Sequence, residues 1–210
     1  MKLLGINHLA FITDDMTKTI HFWRDLLGLR LHAGIGHDGY RHYFFMLGDN
    51  RTQVAFFEYD GASPMVRKFP GERTKKPLGF DHVSFTVETK EVLFGFKERL
   101  LSAGFDVHGA VDHGLFWSIY FYDPNNIPLE ITWEFMEVTK EPAIVDDHPL
   151  PSAENALPQG RQHGEPHRIP PESMTAKGGN AYALRDGLLK RNCVRFKDGI
   201  DGAFIDKSKL

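Results

Sequence analysis

Two short stretches decide the fold: INHLAFIT at residues 6–13 and FDHVSFTV at residues 80–87. Each stretch places a histidine third, after Asn or Asp, in a run that otherwise has the pattern of a buried strand. Burying an imidazole without a partner costs free energy. A histidine that recurs at the same position of a repeated buried strand therefore indicates a functional role. We therefore expect two like modules that share a site containing His8 and His82.

The same order of elements follows each histidine strand. Asp14 or Asp15 is placed to cap a first helix that Gly28 ends, and a second helix over 89–103 ends at Gly104. Three strands follow each helix, near residues 29–35, 40–47 and 52–59 and near residues 105–111, 116–122 and 127–133. The sequence predicts an α+β fold, with two tandem βαβββ modules forming a curved mixed sheet around a metal site.

Composition divides the chain into four parts. They are a first module at 1–60, a linker at 61–79, a second module at 80–140 and a proline-rich C-terminal arm at 141–210. Seven of the twelve prolines fall in the arm, which lacks sustained periodicity and is expected to be an irregular extension. A short helix over 181–189 is the one element that its pattern allows.

Charge and cysteine content exclude several classes of protein. The net charge is −3 without a clustered basic stripe, which argues against a nucleic-acid partner. The single cysteine, Cys193, cannot pair within the chain, which is typical of a reducing compartment. No stretch approaches the ~20 apolar residues of a membrane span. We expect a cytoplasmic protein with no membrane partner that forms a homo-oligomer, as small paired modules commonly do.

A carboxylate interrupts the last strand of the second module. Glu130 lies in IPLEITW at residues 127–133, where an isolated buried charge would be very costly. Two histidines and one carboxylate suit a divalent transition metal, and open positions beside them are typical of non-haem Fe(II). The predicted metal ligands are His8, His82 and Glu130, with Fe(II) as the first expectation and Mn(II) or Zn(II) as alternatives.

The first module has no equivalent carboxylate. The position matching Glu130 falls at residues 54–56, where no side chain can ligate a metal. Glu58 is displaced from that position by an odd number of residues, which turns its side chain to the opposite face of the sheet. We expect a structural role for Glu58.

These residues resemble the vicinal oxygen chelate superfamily, which includes glyoxalases, bleomycin-resistance proteins, fosfomycin-resistance enzymes and extradiol ring-cleaving dioxygenases. The resemblance covers about residues 4–133. It rests on the two histidine strands and on SIYFYDPNNIPLE at residues 118–130, which is similar to the strand-turn-strand that ends in the family's ligating glutamate. Within the superfamily, the extradiol dioxygenases look nearest.

That resemblance implies a reaction and roles for further residues. The protein would be an enzyme that uses dioxygen to cleave a small catechol-like aromatic substrate. Tyr120 would hydrogen-bond a substrate oxygen, and His113 would orient the substrate. Trp117, Phe45 and His42 would line the substrate site, since aromatic walls suit a flat apolar ligand.

One feature departs from the dioxygenase pattern. Ring-cleaving members carry an acid–base histidine shortly before the second histidine strand, and residues 59–81 contain none. His42 and His113 are the candidates to replace it. Two other interpretations therefore stay open. One is a glyoxalase-like lyase or isomerase, or a fosfomycin-type thiol transferase, which normally exchanges modules across a dimer in a shorter chain without this tail. The other is a metal-free binding protein of the bleomycin-resistance kind.

Overall fold

The structure is a computed structural model that describes residues 4–72, 79–141, 143 and 179–200. The described residues form two compact units. The first draws on the described residues within 4–85, 91–109 and 119–131, and the second on those within 86–90, 110–118 and 132–200. Parts of the predicted linker and most of the predicted arm lie outside the described residues.

The first βαβββ module is present as predicted. Its elements are β1 (His8–Thr13), α1 (Met16–Ile20) with a π-helical continuation (His21–Leu26), β2 (Arg30–His37), β3 (Tyr40–Met46) and β4 (Gln53–Glu58). They form a four-stranded sheet of order β1-β4-β3-β2. Strand β1 pairs with β4 in parallel, and the other neighbours are antiparallel. The sheet is therefore mixed.

The second module repeats this plan. Its elements are β5 (Val83–Val87), α2 (Lys90–Ser102), β6 (His108–Asp112), β7 (Phe116–Tyr122) and β8 (Pro128–Glu134). The sheet order, β5-β8-β7-β6, matches that of the first sheet strand for strand. The predicted α+β fold of two tandem βαβββ modules is confirmed, with one four-stranded sheet in each module.

Local signals in the sequence explain where the helices begin and end. The Asp15 side chain accepts a hydrogen bond of 2.9 Å from the backbone N–H of Lys18, as an N-cap does. Gly28 and Gly104 have φ angles of 81° and 84°, a conformation that glycine adopts without steric cost. The π-helical stretch was not predicted, because apolar spacing alone does not distinguish π from α bonding.

Trp23 lies in the core of the first unit. Its side chain is fully buried and packs on Phe56 of the first module and on Phe85 of the second, with ring centroids 5.5 and 5.9 Å away. Its indole N–H donates to Asp123 Oδ2 at 3.4 Å. One tryptophan thus joins the two modules by apolar contact and by a buried polar contact.

Asp123 organises the predicted turn at residues 123–126. Its Oδ1 accepts hydrogen bonds from the backbone N–H groups of Asn125 and Ile127, at 2.8 and 2.9 Å. Asn126 adopts a φ of 60°, which Asn tolerates better than most residues. Burial raises the pKa of Asp123, and the hydrogen bonds it accepts oppose that rise only in part.

The described end of the C-terminal arm is more regular than predicted. It contains α3 (Gly179–Lys190), where a short helix was expected, and β10 (Val194–Phe196), which pairs antiparallel with β9 (Met136–Val138). Arg185 of α3 forms a buried ion pair of 2.6 Å with Asp112 and donates to the carbonyl of Gly114 at 2.7 Å. Within the described residues, no helix is both long and apolar enough to span a membrane.

Candidate metal site

His82 and Glu130 meet at the junction of two neighbouring strands. His82 immediately precedes β5, and Glu130 lies in the middle of β8, which is hydrogen-bonded to β5. The distance from His82 Nε2 to Glu130 Oε2 is 2.9 Å, and the Glu130 side chain is only 5% exposed. The structure therefore brings together two of the three predicted metal ligands, in a buried setting where charge is costly unless it is compensated.

Asp81 holds the other side of the His82 ring. Its Oδ2 lies 2.6 Å from His82 Nδ1 and accepts the backbone N–H of Gly71 at 2.9 Å, while Lys68 pairs with Oδ1. Burial raises the pKa of Asp81, but the hydrogen bonds from Lys68, Gly71 and His82 outweigh it and lower the pKa to about 2. Asp81 is therefore an ionised carboxylate that orients the imidazole from behind.

The two carboxylates set a condition on the imidazole between them. A neutral imidazole has one N–H and can donate to only one carboxylate. Both short contacts of His82 are satisfied if the ring is protonated, or if a cation lies between Nε2 and Glu130. The separation of 2.9 Å is that of a hydrogen bond, and the same two atoms, an imidazole nitrogen and a carboxylate oxygen, are donor types that would suit a divalent metal ion.

Tyr120 completes this cluster. It lies on β7, is 9% exposed, and presents its ring at 88° to the His82 ring, with centroids 5.9 Å apart. The structure thus places the Tyr120 ring against the His82 ring. Whether Tyr120 acts on a substrate stays a prediction.

His8 is not part of the cluster. It begins β1, is exposed, and has its Nδ1 2.8 Å from the Asn7 side-chain oxygen. Among the residues that the structure describes, no three His, Cys, Asp or Glu side chains are arranged to hold a metal ion. One chain therefore supplies two convergent ligands, and the third predicted ligand lies elsewhere.

His8 lies beside aromatic side chains of its sheet. His8 packs edge-on against Phe44 at 5.9 Å, and the half-buried His42 lies 4.3 Å from Phe44 and stacks on Phe57 at 3.6 Å. Burial lowers the pKa of His42, and the neighbouring His8 lowers it further. The predicted substrate residue His42 thus shares an aromatic face with His8, and its contact with substrate stays a prediction.

Phe45 occupies a different environment. Its side chain is fully buried and packs against Phe56 in the core. Successive side chains of a strand point to opposite faces, so Phe45 cannot share the face of Phe44 and His42. Phe44, and not Phe45, is therefore the better candidate for a wall of that face. The alternation of side chains along the predicted strand already implied this difference.

His113 and Trp117 belong to the second unit. His113 follows β6, and its ring packs on Phe116 at 5.0 Å. Trp117 is buried, meets Trp133 edge-on at 5.9 Å, and has the Lys90 ammonium 4.8 Å from its ring centroid. These contacts explain how the two side chains are held, while their predicted roles toward substrate stay predictions.

Glu58 has the structural role that was expected. Its carboxylate accepts the backbone N–H of Met16 at 2.7 Å and pairs with Arg41. It therefore fastens the start of α1 to the sheet.

Sequence reasoning missed Asp81 and Lys68. The signal for Asp81 was present, because an Asn or Asp precedes each repeated histidine, and in both copies its side-chain oxygen contacts Nδ1 of that histidine. Lys68 left no such signal. It lies in the predicted linker and reaches Asp81 only through the folded chain.

Comparison with known proteins identifies the family. A family model described as the Glyoxalase/Bleomycin resistance protein/Dioxygenase superfamily matches residues 5–131. The chain belongs to this superfamily.

A curated relative is the glutathione transferase FosA of Serratia marcescens. It is 30% identical over 135 residues, which is 61% of this chain and 80% of FosA.

A solved structure shares the fold, and a second is reported beside it. A glyoxylase/bleomycin resistance protein/dioxygenase domain from Frankia sp. EAN1pec matches with a TM-score of 0.53 and 24% identity, over 63% of this chain and 99% of that domain. The fosfomycin resistance protein FosX from Listeria monocytogenes, solved with Mn(II) and sulfate, matches with a TM-score of 0.46 and 21% identity, over 63% of this chain and 93% of FosX.

Proposed function

We propose that this protein is a divalent-metal-dependent transferase that joins a small thiol to an electrophilic carbon. The observation that carries the proposal is the contact of 2.9 Å between His82 and the buried Glu130, with the ionised Asp81 behind the imidazole. A carboxylate–histidine pair aimed at a second buried carboxylate is a typical environment for a metal ligand.

The choice of reaction is supported by the curated relative. The Serratia protein is named a glutathione transferase, and its match spans most of its length. Extradiol cleavage, the first expectation from the sequence, has weaker support because residues 59–81 lack the acid–base histidine. A glyoxalase-like reaction lacks the usual fourth protein ligand, since the matching region around Ala55 is buried and apolar.

His82 Nε2 and a Glu130 oxygen would hold the metal, with His8 as the third ligand. The donor set of two imidazoles and a carboxylate accepts Mn(II), Fe(II) or Zn(II). When bound, the ion would act as a Lewis acid toward an oxygen of the electrophile. His8 is exposed and outside the cluster, so we propose that the ligand set is completed by His8 of a second copy in a homodimer.

The residues of the chain prepare the site for this reaction. With a metal ion bound, Asp81 would accept a hydrogen bond from the His82 Nδ1–H, and that tautomer leaves the Nε2 lone pair for the ion. The Tyr120 ring packs against the imidazole edge and limits its rotation. In the reaction a carbon–sulfur bond forms and a carbon–oxygen bond breaks. The thiol proton ends on the released oxygen, so no oxidant or reductant is consumed.

Thiol consumption by metal-loaded protein tests the reaction. Full-length protein is stripped with chelator, reloaded with Mn(II), Fe(II) or Zn(II), and mixed with glutathione and an epoxide, either fosfomycin or styrene oxide. We expect metal-dependent loss of free thiol, and loss of that activity in His82→Ala but not in the exposed control His21→Ala. Oxygen uptake with catechols, and no thiol consumption with either epoxide, would instead support the dioxygenase.

Mixing two inactive variants tests the shared site. His8→Ala and His82→Ala homodimers are each expected to be inactive. If each site takes His8 from one copy and His82 from the other, half of the dimers after subunit exchange carry one intact site. Activity then returns to about a quarter of the wild-type value. No recovery after confirmed exchange would show that both histidines must come from one chain.

A further inference from the structure

A cavity of about 360 Å³ lies within the first unit, and Tyr120, whose ring packs on His82, forms part of its wall. Its walls come from three segments: the predicted linker at 61–79, which we call the connector, the turn between α2 and β6, and strand β7. Its lining side chains include Arg67, Phe69, Phe105, His108, Tyr120 and Tyr122. We call this cavity the connector pocket. Its volume is in the range of small-molecule sites.

The connector is hydrogen-bonded to the second module. The backbone N–H of Met65 donates to the carbonyl of Asn125 at 2.8 Å, and the Tyr122 hydroxyl donates to the carbonyl of Lys68 at 2.9 Å. These bonds lie on either side of Arg67, so the wall that carries Arg67 and Phe69 has a defined position.

Two residues link the pocket to the candidate metal site. The Tyr120 ring lines the pocket, lies 6.2 Å from the Phe69 ring and lies 5.9 Å from the His82 ring. Asp81 binds the backbone N–H of Gly71, in the connector, and also His82 Nδ1. A molecule in the pocket would therefore contact the same tyrosine that packs on the predicted metal ligand.

The pocket combines apolar walls with the guanidinium of Arg67, and Asp106 also lines it. Arg67 donates from Nε to Asn126 Oδ1 at 2.8 Å, and its guanidinium lies 4.8 Å above the Tyr122 ring. Its contact with Asp106 is 3.5 Å long, and Asp106 is 92% exposed, so that pair is weak. In the described part of the chain, the remaining N–H groups of Arg67 make no hydrogen bond, and a guanidinium offers five in all.

We propose that the connector pocket binds the apolar body of an organic acid, with the acid's anionic group at Arg67. The Phe69 ring meets His108 edge-on and lies tilted to Tyr120, and such aromatic walls favour a flat, aromatic body. The binding itself depends only on the pocket. The further statement that the electrophilic substrate binds in this pocket rests on the proposed function. If it does, the substrate is an aromatic or similarly apolar acid.

Binding of 2-naphthoate to the full-length protein tests the pocket. The neutral 2-naphthalenemethanol is the matched probe without the charge, and both are titrated by calorimetry with and without Mn(II). We expect saturable naphthoate binding that Arg67→Met weakens about tenfold, with little effect on the alcohol. Phe69→Ala should weaken both probes, while Arg30→Met, outside the pocket, should weaken neither.

The outcomes separate this inference from the proposed function. Naphthoate binding that is lost in the pocket variants but kept in His82→Ala supports the pocket, even if no thiol is consumed. Thiol transfer by a protein that binds no naphthoate in the millimolar range would overturn the pocket and leave the proposed function intact. Equal binding by wild type, Arg67→Met and Phe69→Ala would also overturn it.

Discussion

Replacing Arg185 by methionine should destabilise the protein far more than replacing an exposed arginine. Arg185 and Asp112 form an ion pair of 2.6 Å in which both side chains are only 5% exposed. Methionine keeps part of the apolar stem against Phe135, where the guanidinium now lies 5.1 Å from the ring centroid. It leaves the Asp112 carboxylate buried without its cation. Removing one partner of such a pair costs about 3–5 kcal/mol.

We expect the loss of stability to come from the unpaired Asp112 charge. Asp112 Oδ1 also accepts the backbone N–H of Gly114 at 2.7 Å, a bond that asparagine can retain. The double variant Asp112→Asn/Arg185→Met should therefore be more stable than the sum of the two single changes indicates, because neither charge is then buried alone. Arg195→Met is the matched control, since Arg195 pairs with Glu137 in a well-exposed setting.

Urea unfolding followed by tryptophan fluorescence measures these changes. Trp117 and Trp133 lie in the same unit as the ion pair and report on its packing. We expect a clearly lower urea midpoint for Arg185→Met and a nearly unchanged midpoint for Arg195→Met. The midpoint of the double variant should lie between those of Arg185→Met and wild type. Equal midpoints for Arg185→Met and Arg195→Met would refute the claim that α3 is held by a buried charge pair.

Three further predictions follow from the site and the core. Asp81→Asn should lower affinity for Mn(II) about 10–100-fold by removing the carboxylate behind His82, whereas the exposed Asp106→Asn should not, as metal-binding calorimetry would show. Asp123 has a raised pKa when folded, so the folded chain binds more protons than the unfolded chain. The stability of wild type relative to Asp123→Asn should therefore be greatest below the unfolded pKa of 3.8 and decline as pH rises above it, in urea titrations at several pH values. Trp23→Ala should lower the free energy of unfolding by about 3–5 kcal/mol, because it empties a fully buried site between the modules. An unchanged melting temperature would contradict the assigned core.

Local features of the fold were predictable because they depend on neighbouring residues. The N-cap at Asp15 and the helix-ending glycines Gly28 and Gly104 act within one turn of chain. Alternation along each strand and the repeat of the histidine strand defined the two modules and their order. The same repeat predicted that Glu58 would be structural, and its contacts with Met16 and Arg41 agree.

Tertiary structure alone decided which of the predicted ligands meet. His82 and Glu130 converge because β5 and β8 are neighbours in one sheet, a pairing between residues far apart along the chain. His8 begins a strand of the other sheet and does not join them, although its sequence context is the same. The contact of Lys68 with Asp81 and the connector pocket likewise depend on how the connector folds back. The physical reason is that periodicity and capping are set by adjacent residues, whereas a site is assembled by strand pairing and loop closure, which leave no local pattern.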